Sequence, residues 1–252
     1  MRLLVDIGNR RVKWGLARAG VVEGPHAFQR PGEDPAAAFS GAWAGLEPPA
    51  AVTVCSVAAP AVLEALRDWV QREWGLEPCQ LRAQERAGDL VNGYRRAGEL
   101  GADRWANLLG ARALLGAVDC VVVDAGTAVT VDAVRADGRH LGGAILAGLD
   151  AGRAGLRAAA PALPPVDGDP GALPATGTRA AIVGGTLVGL AGAVERVTAA
   201  VGAGLERPAR LLTGGDAGIL LPWLDAGWRH DGLLTLRGLN AATEDAACAR
   251  LP

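Results

Sequence analysis

The sequence predicts an α/β protein made of two related halves, and three observations carry that prediction. Residues 3–16 read LLVDIGNRRVKWGL and residues 121–134 read VVVDAGTAVTVDAV. Each stretch has an apolar strand, an Asp at the strand end, a Gly two residues on and a returning strand. Asp124 stands 118 residues after Asp6, and an internal echo of this kind marks a repeated unit. Short apolar runs alternate along the chain with stretches of helical periodicity, the pattern of an α/β domain. Half of the 252 residues are hydrophobic and 36 are Gly, which suits one or two closely packed cores. The expected division is 1–116 and 117–252.

The elements follow in order. Residues 3–5 form a buried strand and 6–9 its turn; Val12, Trp14 and Leu16 alternate with Lys13 and Gly15 in the return strand. A third strand includes Val21 and Val22. Behind the Pro31-Gly32 breaker, residues 34–46 read as a helix. Residues 51–57, AVTVCSV, are a buried strand, and Pro60 opens a helix with Leu63, Leu66, Trp69 and Val70 on one face. A short strand at 79–81 precedes a polar loop holding Asn92, Gly93 and Tyr94. Residues 101–104 lead into a helix that buries Trp105, Leu108 and Leu109 and ends near Gly116. In the second half, the strand at Val121 and a following strand precede Gly142-Gly143-Ala144-Ile145 and a helix at 150–159. The Pro- and Gly-rich stretch 161–177 is a loop. Residues 178–201 form one long helix whose glycines are expected to meet a close neighbour. A strand at 210–213 runs into Gly214-Gly215-Asp216, and the tail is helical from Ala217, then extended at 233–236.

The formal net charge of −2 leaves no basic surplus for nucleic acid. Cys55, Cys79, Cys120 and Cys248 form no CxxC pair, and with three histidines a structural zinc site is not expected. Reduced thiols in a cytoplasmic protein are the expectation. Asp6 comes too early for a secretory signal, and no run of 18 apolar residues suggests a membrane span.

Asp6 at a strand end, followed by Gly8 and Asn9, offers a carboxylate for hydrated Mg²⁺ beside backbone amides that cradle phosphate. An Asp in a hairpin is also an ordinary turn residue; the second copy at Asp124 weighs toward chemistry. Thr127 adds a hydroxyl suited to phosphate or a β-branched strand residue. Gly214-Gly215 reads first as a strand-to-helix turn and second as a place for close nucleotide approach. Asp103 is a candidate general base or an N-cap. Asn92 and Tyr94 are pocket-lining candidates, although a lone Tyr more often packs half-buried. His26, His140 and His230 fall in turn-like stretches and are expected to be solvated, and the seven Trp residues to pack in the core.

DIGN at Asp6, NGY and LGADRW within 92–105, DAGTAVTVD at Asp124, GGAILAG at Gly142 and TGTRAAIVGG at Thr176 together resemble type III pantothenate kinase, across nearly the whole chain. The resemblance implies two ribonuclease-H-like domains of the actin-like ATPase and sugar-kinase class, with the nucleotide in the cleft between them. It implies ATP-dependent phosphorylation of pantothenate, the first step of coenzyme A biosynthesis, by a cytoplasmic homodimer. By that resemblance Asp6, Ile7, Gly8, Asn9, Arg10, Arg11, Val12 and Lys13 form the ATP phosphate loop, served by Mg²⁺, and Thr127 contacts ATP. Asp103 is the proton acceptor. Tyr94, Gly101, Ala102, Asp103, Arg104 and Thr178 contact pantothenate, and Asp124 is the ligand of a monovalent cation, K⁺ or NH₄⁺. Arg10 stands where the family has Thr or Ser, and Arg95-Arg96-Ala97 where it tends to have Pro. A non-catalytic, ATP-binding accessory factor is the alternative within the same fold, and a kinase of another small alcohol a third reading.

Overall fold

The computed structural model describes residues 1–29, 32, 34–168, 173–244 and 248–250. In chain order the first strands are β1 (Arg2–Ile7), β2 (Arg11–Arg18) and β3 (Val21–Gln29), followed by α1 (Pro35–Trp43), β4 (Ala51–Ser56), α2 (Pro60–Trp74) and β5 (Cys79–Leu81). The short pair β6 (Arg86–Ala87) and β7 (Leu90–Val91) precedes α3 (Ala102–Leu115). Then come β8 (Cys120–Ala125), β9 (Ala128–Val134), β10 (His140–Ala147), α4 (Leu149–Ala159), α5 (Thr178–Val201), β11 (Ala209–Thr213), α6 (Ala217–Leu220) and β12 (Trp228–His230). The chain closes with α7 (Leu234–Glu244) and β13 (Cys248–Arg250).

Two compact units result. Unit 1 holds Met1–Val118, Ala136–His140 and Leu233–Pro252; unit 2 holds Asp119–Arg135 and Leu141–Gly232. The sheet of unit 1 has the order β13-β5-β4-β1-β2-β3, and that of unit 2 β10-β9-β8-β11-β12. In each, the Asp-bearing strand is antiparallel to its hairpin partner and parallel to the strand on its other side. The echo in sequence is therefore an echo in topology.

Unit 1's core joins Leu3, Val5 and Ile7 of β1 to Phe39 and Trp43 of α1 and Leu66, Trp69 and Val70 of α2. Stacked Phe39 and Trp43 rings, 5.2 Å apart, and an edge-on Trp69 fill it. Asp34 caps α1 by accepting from the Ala37 N–H at 3.0 Å; the expected breaker at Pro31 lies outside the described residues. Unit 2's core joins Val121, Val123 and Ala125 to Leu187, Ala191 and Val194 of α5. Among the described residues α5 alone has the length and hydropathy of a membrane span, with a mean hydropathy of 1.4. Its Leu187, Ala191 and Val194 are buried in the core of unit 2, and 28 % of the apolar window is buried in all. Of its glycines, Gly184 meets Leu173, whereas Gly185, Gly189 and Gly192 face open space.

Three expectations need correction. Residues 234–236 are not extended but open α7: the Leu-rich run is too short to reveal its period, and Thr235, Leu236, Leu239 and Ala242 all turn inward. His140 is not solvated but 1 % exposed. Cys79 is disulfide-bonded rather than reduced, while Cys55 and Cys120 are buried free thiols.

α7 lies on α3 with almost no gap. A Cβ on Gly238 would sit 1.8 Å from the Ala106 carbonyl oxygen, and one on Gly110 would sit 2.2 Å from that of Leu234. At the buried crossing the Thr235 hydroxyl donates to Asn107 Oδ1 at 2.8 Å.

Candidate active site

Leu3, Val5 and Ile7 enter the core shared with α1 and α2, as do Val12 and Leu16 of β2 and Val52 and Val54 of β4. Side chains alternate across a strand, so Asp6, Lys13 and Cys55 emerge together on the opposite face. Strand register makes them neighbours: Asp6 pairs with Lys13 across β1/β2 and with Cys55 across β1/β4. Asp6 is 8 % exposed, and its Oδ1 accepts from the Cys55 thiol at 3.5 Å. The hairpin turn is closed by the Gly8 N–H donating to the Arg11 carbonyl at 3.0 Å. Asn9, Arg10 and Arg11 are exposed around it.

Burial pushes the Cys55 thiol up, the charges of Asp6 and Asp103 and the hydrogen bond to Asp6 push it further, and Lys13 pulls it down. Asp103 thus lies within electrostatic reach of the Asp6 group. A thiol so held stays protonated and unreactive. Iodoacetamide at pH 8 should spare Cys55 in the native protein and label it in urea, read by peptide mass spectrometry; equal labelling in both states would contradict the geometry. Because the folded value is raised, the stabilisation is complete below the ordinary thiol range and is lost as pH rises from there through the raised value.

Gly101 is the N-cap of α3 and makes no side-chain cap bond; Asp103 stands in the first turn. Asp103 is therefore not the cap that a purely structural role suggested. Its Oδ1 accepts from the Arg104 N–H at 2.8 Å. A Cβ at position 101 would come 2.6 Å from that same Oδ1, so glycine there leaves room for the carboxylate.

Arg104 is 4 % exposed; its Nη1 donates to the Tyr94 hydroxyl at 2.8 Å, and its guanidinium carbon lies 5.4 Å from the Tyr94 ring centre. Asn92 organises the loop that carries Tyr94. Its Nδ2 donates to the Gln84 and Ala97 carbonyls, and its Oδ1 accepts from the Tyr94 N–H.

In unit 2 the same alternation exposes Asp124 on the face away from the core of Val121, Val123 and Ala125. Register sets Thr130 of β9 and Thr213 of β11 beside it. The turn at Gly126 and Thr127 is clamped from two sides. The Gly148 N–H donates to the Thr127 carbonyl and the Asp216 N–H to the Ala125 carbonyl. Cβ atoms on Gly148 or Gly214 would meet the turn's backbone at 2.1 and 2.2 Å. Gly214, at φ 103°, thus serves the packing of β8. Thr178 is exposed at the start of α5.

Unit 1 therefore gathers Asp6, Lys13 and Asp103, and next to Asp103 on α3 the Arg104–Tyr94 pair. Asp124, Thr127 and Thr178 belong to unit 2. Sequence reasoning missed Cys55, whose proximity to Asp6 depends on the β1/β4 pairing; it missed His140 and Gly148 for the same non-local reason. No group of three or more His, Cys, Asp or Glu side chains among the described residues is placed to hold a metal ion. A single carboxylate with phosphate oxygens and waters is nonetheless an ordinary Mg²⁺ environment.

Residues 2–200 match the family model for type III pantothenate kinase. The chain is 39 % identical over 245 residues to a type III pantothenate kinase of Halorhodospira halophila, covering 95 % of this chain and 96 % of that one. Among solved structures it is similar to a protein from Campylobacter jejuni described as a Baf family transcriptional activator, with a TM-score of 0.59 and 22 % identity over 97 % of this chain and 98 % of that one. It is also similar to the activator of 2-hydroxyisocaproyl-CoA dehydratase from Clostridium difficile with bound ADPNP, with a TM-score of 0.56 and 12 % identity over 98 % and 95 %. At these identities the two structures speak to the fold alone, that of the actin-like ATPase and sugar-kinase class.

Proposed function

This chain belongs to the type III pantothenate kinase family, and from that premise we propose which residues perform the reaction. The enzyme transfers the terminal phosphoryl group of ATP to the terminal hydroxyl of pantothenate, in the first step of coenzyme A biosynthesis. What supports the site assignment most is the grouping of Asp6, Lys13 and Asp103 around Cys55 in unit 1.

Phosphoryl transfer asks a protein for positioning and charge neutralisation more than for covalent chemistry. The loop from Asp6 through Ile7, Gly8, Asn9, Arg10, Arg11 and Val12 to Lys13 receives the phosphates. Lys13 supplies positive charge, and Arg10 replaces a hydroxyl contact with a guanidinium able to grip phosphate. Thr127 contacts ATP from the second hairpin. Asp6 would hold Mg²⁺, which when bound with ATP would supply neutralising charge at the phosphates. Asp103 accepts the proton of the attacking hydroxyl. Tyr94, Gly101, Ala102 and Arg104 bind pantothenate; Arg104, buried and braced by Tyr94, suits its carboxylate. Thr178 is assigned to pantothenate by the family resemblance alone. ADP release measured with pantothenate, and with sugars and acetate as controls, tests the reading: turnover confined to pantothenate supports it, and no turnover with any acceptor would favour an accessory role.

Asp124, with Thr130 and Thr213 beside it, is the ligand of K⁺ or NH₄⁺ in this proposal. A carboxylate and hydroxyls are the hard oxygen donors such cations take. Turnover is expected to be low in Na⁺ or Li⁺ and to rise on adding K⁺ or NH₄⁺, with Asp124→Asn flattening the response. Equal rates in all four salts would remove the cation from the scheme.

The enzyme is further proposed to act in the cytoplasm as a homodimer. The open Gly185, Gly189 and Gly192 on α5 suit close helix packing against a second copy. Sedimentation should then give a mass near twice 25.6 kDa; a fully active monomer would refute it.

A further inference from the structure

Opposite expectation, one histidine is buried against the substrate loop. His140 opens β10 and is 1 % exposed. Its Nδ1 accepts from the Gly93 N–H at 3.4 Å. Its ring stacks on Tyr94, with centroids 5.8 Å apart and planes 12° from parallel. Accepting at Nδ1 fixes the tautomer, with the proton on Nε2. The hairpin end that delivers His140 is itself tied to the loop strands: the Val91 N–H donates to the Gly138 carbonyl at 2.9 Å, and a Cβ on Gly138 would clash with the Asp89 backbone at 2.2 Å. Arg112 on α3 pins the same corner by donating to the Ala136 carbonyl and pairing with Asp89.

Tyr94 is thus held by three groups of distinct chemistry. Asn92 fixes its backbone, His140 its ring plane, and its hydroxyl accepts from Arg104. Displacing the ring would remove the oxygen that accepts from Arg104 Nη1.

We propose that His140 is a positioning residue for the acceptor pocket, setting Tyr94 and through it Arg104 in the geometry that binds pantothenate. The inference rests on the assignment of Tyr94 and Arg104 to that substrate. The contacts of His140 with Gly93 and Tyr94 fall on the loop assigned to pantothenate, so its effect belongs to substrate affinity and not to the chemical step.

Three substitutions separate its two contacts. His140→Asn keeps an acceptor near the Nδ1 position and loses the ring. His140→Phe keeps the ring and loses the acceptor, and His140→Ala loses both. With a hydrogen bond or a ring contact each worth a few-fold, the KM for pantothenate should rise about 3-fold in the Asn and Phe variants and about 10-fold in the Ala variant. The kcat should stay within about 2-fold, since uniform binding energy is what is lost, and the KM for ATP should not move. An unchanged pantothenate KM in His140→Ala would overturn the proposal. So would a parallel loss of kcat, ATP affinity and thermal stability in all three variants, which would make His140 a general core residue. Tyr94→Phe and Arg104→Lys, measured alongside, keep the two claims apart. If they raise the pantothenate KM while the His140 variants do not, only the role of His140 fails. If they too leave it unchanged, the pocket assignment itself is wrong.

Discussion

Asp103→Asn is expected to lower turnover by about 10²- to 10⁴-fold, the usual contribution of a positioned base, with melting temperature and ATP binding close to wild type. The alcohol must lose its proton as the new bond to phosphorus forms, and an amide cannot take it. Asn is nearly isosteric, and its Oδ1 can still accept from the Arg104 N–H as Asp103 does at 2.8 Å. The N-cap of α3 is Gly101, so the substitution removes no cap. The loss should appear at saturating pantothenate and ATP, in kcat and not only in kcat/KM. If the variant retains more than about half of wild-type turnover, far above the range set by that estimate, the chemistry has been assigned to the wrong residue.

Gly238→Ala is expected to be among the most destabilising single-methyl additions in unit 1. The new Cβ would lie 1.8 Å from the oxygen and 2.6 Å from the carbon of the Ala106 carbonyl, both backbone atoms of a helix. Neither can yield by rotating a bond, so the two helices must part. Overpacking commonly costs about 1–3 kcal/mol, and a clash between helix backbones belongs at the upper end. At ~3 kcal/mol a chain of this size should melt roughly 6–12 °C lower. Ala106 is one turn beyond Asp103 on α3, so turnover should fall together with stability. Gly41→Ala on α1, where nothing lies within 4 Å of the new carbon, is the control. There alanine's better helix propensity should give a gain of up to about 1 kcal/mol. Equal melting points for wild type and Gly238→Ala would mean that α7 is free to slide on α3.

What was legible in the sequence was what is local. A strand, an Asp, a glycine turn and an alternating return can be read within one stretch, so both acidic hairpins and their kinship were visible. Asp103 at the opening of α3 was visible for the same reason. What escaped depended on pairing between distant segments. Cys55 reads as one more apolar residue of a buried strand until β4 is set beside β1, when it becomes the donor to Asp6. His140 follows Asp137-Gly138-Arg139, which look like a turn and are one, but its own ring is buried by a tyrosine 46 positions earlier. Residues 233–236 show three leucines in four positions, equally compatible with strand or helix. Only Leu239, Ala242 and the fit of Gly238 to α3 decide for the helix.

The discontinuity of unit 1 has a consequence during synthesis. Unit 2, apart from the short 136–140 excursion, is one stretch that is complete by residue 232, whereas α3 waits for α7, which ends at Glu244. At about 5–20 residues per second, the 129 positions from Leu115 to Glu244 take roughly 6–26 s to emerge. Throughout that interval the face of the helix bearing Asp103 and Arg104 on which α7 packs, with Gly110 in it, lacks α7. The half of the molecule made first is thus the half finished last. A nascent chain released before residue 234 would carry the proposed base on a helix still exposing apolar surface, a natural target for a chaperone that binds such segments.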